Sequence, residues 1–211
     1  MKFSYMKQRI KSYVGSSHYL YRLRFKRAQT IGRLCGLNIF SHDRKQSLNI
    51  LEVGCGKGLD FIRFLDNYSN VVLFGKDRDD WHILQNNFKF ILGDIESLEF
   101  PDKYFDLTIS LGVLEHIQPI EKLAKTIKEI NRVSKSYVVA VPSVDNILET
   151  HTASLFWQLR DHNRKPPYGP LLYFSDEAWL QFEGFNEAKT LRKYFIFPVT
   201  KSLFIYKAYP V

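Results

Sequence analysis

The sequence predicts an α/β fold, a doubly wound and mostly parallel sheet of seven strands with an antiparallel terminal strand. Three observations predict it. Short apolar runs alternate with stretches of helical periodicity between residues 49 and 142. A glycine-rich turn, Gly54-x-Gly56-x-Gly58, follows the first of those runs directly. Two further β-rich runs close the chain, near enough in sequence to pair antiparallel.

Residues 17–36 read as a helix. Arg22, Lys26, Gln29 and Arg33 form a polar basic stripe at helical spacing, beside an apolar stripe of Tyr21, Phe25, Ala28 and Cys35. Residues 37–48 read as a polar connector. Asn49–Val53 is the first strand, Leu59–Asn67 a helix and Asn70–Gly75 the second strand. Trp81–Asn87 reads as a short helical or irregular crossover to a third strand, Lys89–Leu92. Pro101–Lys103 turns the chain into a fourth strand, Phe105–Ser110. Pro119 suits a first helical turn, and Ile120, Leu123, Ala124, Ile127, Ile130 and Val133 then recur at helical spacing. Tyr137–Val141 is the fifth strand, closed by Pro142. Residues 143–174 hold no clear strand and read as an insertion or lid, with a loop at Lys165–Pro170. Ser175 caps a helix reaching Glu183, and Gly184 ends it. Ala188–Phe197 and Ser202–Tyr209 are the terminal pair.

Composition narrows the class. The 211 residues are 45 % hydrophobic and 15 % aromatic, enough for a packed core and unlike a disordered chain. No apolar run approaches the ~20 residues that span a bilayer. The N-terminus has no apolar core of a secretory signal. Two unclustered cysteines, Cys35 and Cys55, predict a reducing, cytoplasmic setting and no zinc site. The net charge of +8 is localised. Nine of the 30 basic residues precede His42, where none of the 22 acidic ones falls. That asymmetry points to an anionic partner near the N-terminus.

The glycine turn places ligand-accessible backbone at the carboxyl end of a parallel strand. It is not the dinucleotide fingerprint, because Leu59 stands where the third glycine belongs. Nor is it a phosphate loop, since Lys57 is followed by Gly58. On residues alone, a ligand loop and a bare tight turn both remain open. Ile50–Gly58 (ILEVGCGKG) resembles motif I of the class I S-adenosylmethionine (SAM)-dependent methyltransferases, hhhExGxGxG. Phe74-Gly75-Lys76-Asp77 resembles the family's second strand and its acidic residue. Phe90-Ile91-Leu92-Gly93-Asp94-Ile95 resembles the next motif. Tyr104–Ser110 followed by Val113-Leu114-Glu115-His116-Ile117 is similar to the family's FDLxxxxxVLEHI stretch. The resemblance covers residues 49–142 and extends to the turn at Glu183–Phe185.

The resemblance, to the small-molecule branch of the family, implies a Rossmann-like domain that uses SAM. Its implied contacts are Gly54, Cys55, Gly56 and Gly58 in the loop, with Glu52 holding the loop or the amino end of the cofactor. Asp77 would take the ribose hydroxyls, with Asp79 and Asp80 as rivals. Asp94 and Ile95 would border the adenine, and Ser110 and Leu111 the methionine part. The chain departs from the family pattern at Lys76, in the short crossover after Asp77, and at Ser134-Lys135-Ser136 in place of a glycine turn.

Residues 49–211 are then the methyltransferase domain and 1–48 a basic helical cap. His116 is a candidate general base or a packed structural histidine. His151, near Glu149, Tyr168 and Tyr173, is a candidate substrate residue or a surface loop residue. The run Pro142…Leu148-Glu149-Thr150-His151-Thr152 looks like a segment of methyltransferases from glycan and lipid biosynthesis. The N-terminal helix admits four readings: an anionic-substrate cap, a peripheral membrane contact, a mitochondrial targeting peptide or a solvated face. The expected reaction is methyl transfer to an O or N of a small-molecule, sugar or lipid-linked acceptor. The alternatives are an RNA methyltransferase, for which no Asn-Pro-Pro-Tyr motif is present, and a non-catalytic SAM-fold partner.

Overall fold

The computed structural model describes residues 17–37, 39, 47–56, 65, 70–81, 88–146, 148–149, 154–155, 172–196 and 200–210. Helix α1 spans Ser17–Cys35. Its inner side, Ala28, Ile31 and Cys35, is fully buried, while Arg22, Lys26 and Arg33 stay exposed. Ile39 is 1 % exposed and packs so close to Gly32 that a Cβ there would lie 3.1 Å from Ile39 Cγ1.

The sheet comprises β1 Leu48–Val53, β2 Val71–Asp77, β3 Phe88–Leu92, β4 Phe105–Leu111, β5 Ser134–Pro142, β8 Lys189–Ile196 and β9 Thr200–Lys207. Its order is β3-β2-β1-β4-β5-β9-β8. The first five strands pair in parallel, and β9 runs antiparallel to both β5 and β8. This is the predicted mostly parallel α/β sheet with a reversed terminal strand. Inside the insertion, β6 (Leu148–Glu149) and β7 (Ser154–Leu155) form a separate antiparallel pair where the sequence predicts no strand. Two-residue strands are too short to leave an alternation in sequence.

One apolar layer lies between the sheet and α1, built on Ile50, Leu73, Leu107, Ile109 and Val138. The other lies beneath α2 (Ile120–Val133) and α3 (Asp176–Leu180), built on Leu51, Val53, Val139, Ile205 and Trp179. On α2, Leu123, Ile127, Ile130 and Val133 are buried as the periodicity predicts. Ile120 and Ala124 are exposed, and Thr126 is buried instead, its hydroxyl donating to Lys122 O at 3.0 Å. Pro119 is the N-cap rather than a residue of the first turn.

α2 passes directly into β5, so Ser134-Lys135-Ser136 begins the strand rather than forming a turn. Buried hydroxyls are tolerated when they find acceptors. Ser134 Oγ donates to Ile130 O, and Ser136 Oγ to Asp106 O at 2.5 Å. Ser175 Oγ caps α3 by accepting from Ala178 N at 3.2 Å. The helix stops at Leu180 and gives way to a 3₁₀ turn, Glu183–Phe185. Gly184 lies inside that turn, where close packing demands it: a Cβ would stand 2.6 Å from Ile127 O. Most of the predicted helix Leu59–Asn67, the crossover beyond Trp81 and the loop Lys165–Pro170 lie outside the described residues.

Candidate functional site

The sheet order reverses between β1 and β4, because the chain leaves β1 toward β2 on one side and later enters β4 on the other. In open α/β sheets, ligands bind at the carboxyl ends of strands around such a switch point. A cleft of about 360 Å³ opens there. The ends of four neighbouring strands supply its walls: Gly54 after β1, Asp77 closing β2, Asp94 and Ile95 after β3, and Gly112, Val113 and His116 after β4.

The floor is set by one close approach. Gly54 has φ +70°, and a Cβ there would lie 2.6 Å from Val113 Cγ2. Glycine therefore permits both the left-handed backbone and the contact with the β4 turn. Gly54 N–H donates to Lys76 O at 2.8 Å, which anchors the turn to β2. Asp77 then ties the loops together. Its Oδ2 accepts from Gly56 N at 2.8 Å and its Oδ1 from Asp79 N at 3.0 Å. Each carboxylate oxygen can accept more than one bond, so capacity remains on the cleft side.

Gly93 N–H donates to Asp77 O at 2.9 Å, carrying the chain from β3 to Asp94 and Ile95. Lys76, the departure noted in the second strand, is 5 % exposed and points its ammonium away, donating to Ser97 O at 2.8 Å. It does not line the cleft. At the rim, Lys122 Nζ donates to Glu96 Oε1 at 2.7 Å. That hydrogen bond, with the charges of Glu96 and Asp94, holds the Lys122 ammonium protonated to higher pH than usual. With Asp77, Asp79, Asp94 and Glu96 against Arg78 and Lys122, carboxylates outnumber ammonium and guanidinium groups on the walls. Such a wall suits hydroxyl donors and a cationic ligand.

His116 closes a 3₁₀ turn, Leu114–His116, and its exposed side chain lines the cleft. Its backbone N–H donates to Val113 O at 3.0 Å. The neighbouring Glu115 carbonyl accepts from Leu172 N at 2.8 Å, so the end of the 143–174 segment is tied beside the cleft.

Of the residues singled out from sequence, Gly54, Asp77, Asp94, Ile95 and His116 converge on the cleft. Gly56 sits in the loop at φ +50°. Glu52 and Cys55 lie beneath, 2 % and 6 % exposed. Burial, with the negative charges of Glu52 and Asp77, pushes the Cys55 thiol well above its ordinary range, so it stays neutral. Ser110 and Leu111 are buried at the end of β4, behind Gly112. Gly58 and His151 lie outside the described residues, as does the side chain of Glu149. Trp81, Arg78, Gln118 and Lys122 also line the cleft and were not legible as motif residues.

Residues 51–140 match a family model described as a methyltransferase domain. A ubiquinone biosynthesis O-methyltransferase of Rickettsia bellii is 32 % identical over 133 residues, 52 % of this chain and 55 % of that protein. A malonyl-(acyl-carrier protein) O-methyltransferase of Ilyobacter polytropus is 33 % identical over 90 residues, 39 % of this chain and 34 % of that one. The chain thus spans about half, or less, of the length of these relatives. Among solved structures, a 1,6-didemethyltoxoflavin-N1-methyltransferase of Burkholderia thailandensis, bound to its namesake substrate and S-adenosylhomocysteine, superposes with a TM-score of 0.60. That likeness is one of fold, at 11 % identity over 96 % of this chain and 86 % of that one.

Proposed function

We propose that the chain, whose residues 51–140 match a methyltransferase-domain model, is a class I SAM-dependent methyltransferase that transfers a methyl group to an oxygen or nitrogen of a small-molecule, sugar or lipid-linked acceptor. The observation that carries this reading is the convergence of Gly54, Asp77, Asp94, Ile95 and His116 on one cleft at the switch point. The residues present fit the cofactor. Asp77 keeps acceptor capacity toward the cleft for a vicinal diol, and Gly54 leaves no Cβ above the loop floor. SAM supplies, when bound, a methyl group on a positively charged sulfur.

The chain's own contribution is placement and proton handling. Asp77 receives the ribose hydroxyls, Asp94 the adenine amino group, and Ile95 packs the ring. The backbone at Ser110 and Leu111 borders the methionine part, and Glu52, Cys55, Gly56 and Gly58 shape the loop. Placing an acceptor in line with a methyl group supplies much of the catalysis, up to roughly 7–11 kcal/mol in well-oriented systems. His116 takes the acceptor's proton as general base, and His151 serves the acceptor from the insertion. Residues 49–211 form the catalytic domain, with 1–48 as its basic cap and 143–174 as its lid. The names of these two curated relatives, both O-methyltransferases, support an oxygen acceptor. Two buried cysteines held in no disulfide support a cytoplasmic compartment.

Titration calorimetry with SAM tests the site. Asp77→Ala is expected to weaken binding at least tenfold and Gly56→Val to abolish it. Wild-type affinity in both variants overturns the assignment.

A further inference from the structure

Away from the cleft, α1 and the edge strand β8 bring cations to one face. Lys189, Leu191 and Lys193 alternate on one side of β8, opposite Tyr206, Phe204 and Ser202 of β9. Phe204 and Tyr206 belong to the layer that α1 covers, so this is the α1 side of the sheet. Lys193 Nζ donates to Thr30 Oγ1 of α1 at 2.6 Å. Arg22, Lys26 and Arg33 are exposed along the same helix.

Among the described residues, none of these five cations pairs with a carboxylate. The contrast is Arg192, on the opposite side of β8, which pairs with Asp176 at 3.0 Å and Asp145 at 3.6 Å. Partial burial, then the nearby charges of Arg33 and Lys26, lower the pKa of Lys193. Like charge is therefore gathered here without internal compensation, an arrangement that an external anion relieves. The exposed residue between Lys189 and Lys193 is apolar: Leu191 is 39 % accessible.

The face also reaches the functional end of the molecule. Lys193 pairs across Ser202 to Pro142, the last residue of β5, which is the carboxyl end of the parallel strands. Thr30 lies at that end, whereas Cys35 O accepts from Tyr209 N beyond the opposite end of β9. The first half of α1 thus points toward the end where the cleft opens. The sequence ahead of it adds Lys2, Lys7, Arg9 and Lys11 and no acid.

We propose that the α1–β8 face is a docking surface for the anionic headgroups of a lipid bilayer. Cations around an exposed leucine suit the boundary between headgroups and acyl chains. Nucleic acid is less well matched, since no exposed aromatic ring accompanies the cations among the described side chains. Docking itself does not depend on methyl transfer. Its consequence, that a lipid-borne acceptor is presented at the cleft, rests on that reading.

The test is co-sedimentation of the full chain with phosphatidylcholine vesicles, and with vesicles in which phosphatidylglycerol replaces about a third of the lipid. Binding is expected only to the second and is expected to weaken with salt. At roughly fivefold per cation, Lys26→Gln/Arg33→Gln/Lys193→Gln should lose on the order of 100-fold in partition. Its melting and its S-adenosylhomocysteine affinity should match wild type. Lys189→Gln/Leu191→Ser repeats the test at exposed positions that do not touch Thr30. No binding to anionic vesicles overturns the proposal. So does equal binding by both variants, or capture of an RNA oligonucleotide while vesicles are ignored. Vesicle binding without S-adenosylhomocysteine binding keeps the docking surface and sinks the methyltransferase reading.

Discussion

Gly54 and Gly56 both hold positive φ, +70° and +50°, yet only one of them is crowded. Among the described residues a Cβ on Gly56 meets nothing within 4 Å, whereas one on Gly54 collides with Val113. Gly56→Ala therefore carries only the left-handed backbone penalty, about 1–2 kcal/mol. Gly54→Ala adds an overpacking cost of about 1–3 kcal/mol. Urea denaturation of the two variants should rank them in that order, and equal losses would contradict the Val113 contact. The glycine spacing was legible in sequence because the need for a missing Cβ is a local property of the turn. Val113's part in it was not, since that residue comes from β4's far end and only the folded sheet brings it across. The same holds for Trp81 and Lys122: no motif marks them, and tertiary structure alone delivers them to the cleft. Asp77 was legible by type and position. It bridges Gly56 N and Asp79 N, which sets it apart geometrically from its rival Asp79, although Asp79 lines the same cleft.

Among the elements, α2 is the one most firmly keyed to its surroundings. Arg132 in its last turn donates to Phe100 O and Leu98 O at 2.8 Å each, to Asp102 at 2.8 Å and to Glu129 at 2.7 Å. Glu129 also accepts from Leu98 N at 2.8 Å. The pair thus fastens the segment between β3 and β4 to the helix. The hydrogen bond from Arg132 holds the Glu129 carboxyl below its ordinary range. A carboxyl depressed in the folded state favours folding above its unfolded value, about 4.3, and that favour is lost as pH falls through the lower folded value. Arg132→Met should cost about 2 kcal/mol or more at neutral pH, because hydrogen bonds to charged groups are lost. It should also flatten the fall in stability from pH 5 to pH 3, measured by urea midpoints across that range. An unchanged acid limb would assign the fall to other carboxyls. The helix itself was legible through its apolar period. Its junction was not, because Ser134 and Ser136 read as a polar turn until their hydroxyl acceptors, Ile130 O and Asp106 O, are known. The early stop of α3 at Leu180 was hidden for a similar reason: Trp179, Phe174 and Phe182 pack as rings that fit both a longer helix and the observed turn.

At the scale of the whole molecule, the strand count and the reversed β9 followed from alternation and from the closeness of the last two runs. Which strands are neighbours did not, since lateral order is set by crossovers rather than by any strand's own pattern. That order separates the two functional surfaces proposed above. The cleft belongs to β3, β2, β1 and β4, while the basic face belongs to β8, at the other edge beyond β5 and β9. Among the described residues β8 pairs with β9 alone, and edge strands open at lower free energy than central ones. Hydrogen exchange should therefore distinguish the sites within one sample. S-adenosylhomocysteine is expected to slow exchange at Gly54–Gly56, Asp77–Asp79 and Gly112–His116, where strand ends wall the cleft, and to leave Lys189–Lys193 unchanged. Anionic vesicles are expected to do the reverse, slowing β8 and the exposed half of α1. If the nucleoside ligand also protects β8, the intervening strands β5 and β9 transmit its binding across the sheet. The two surfaces would then be one coupled unit rather than a donor site and an independent dock.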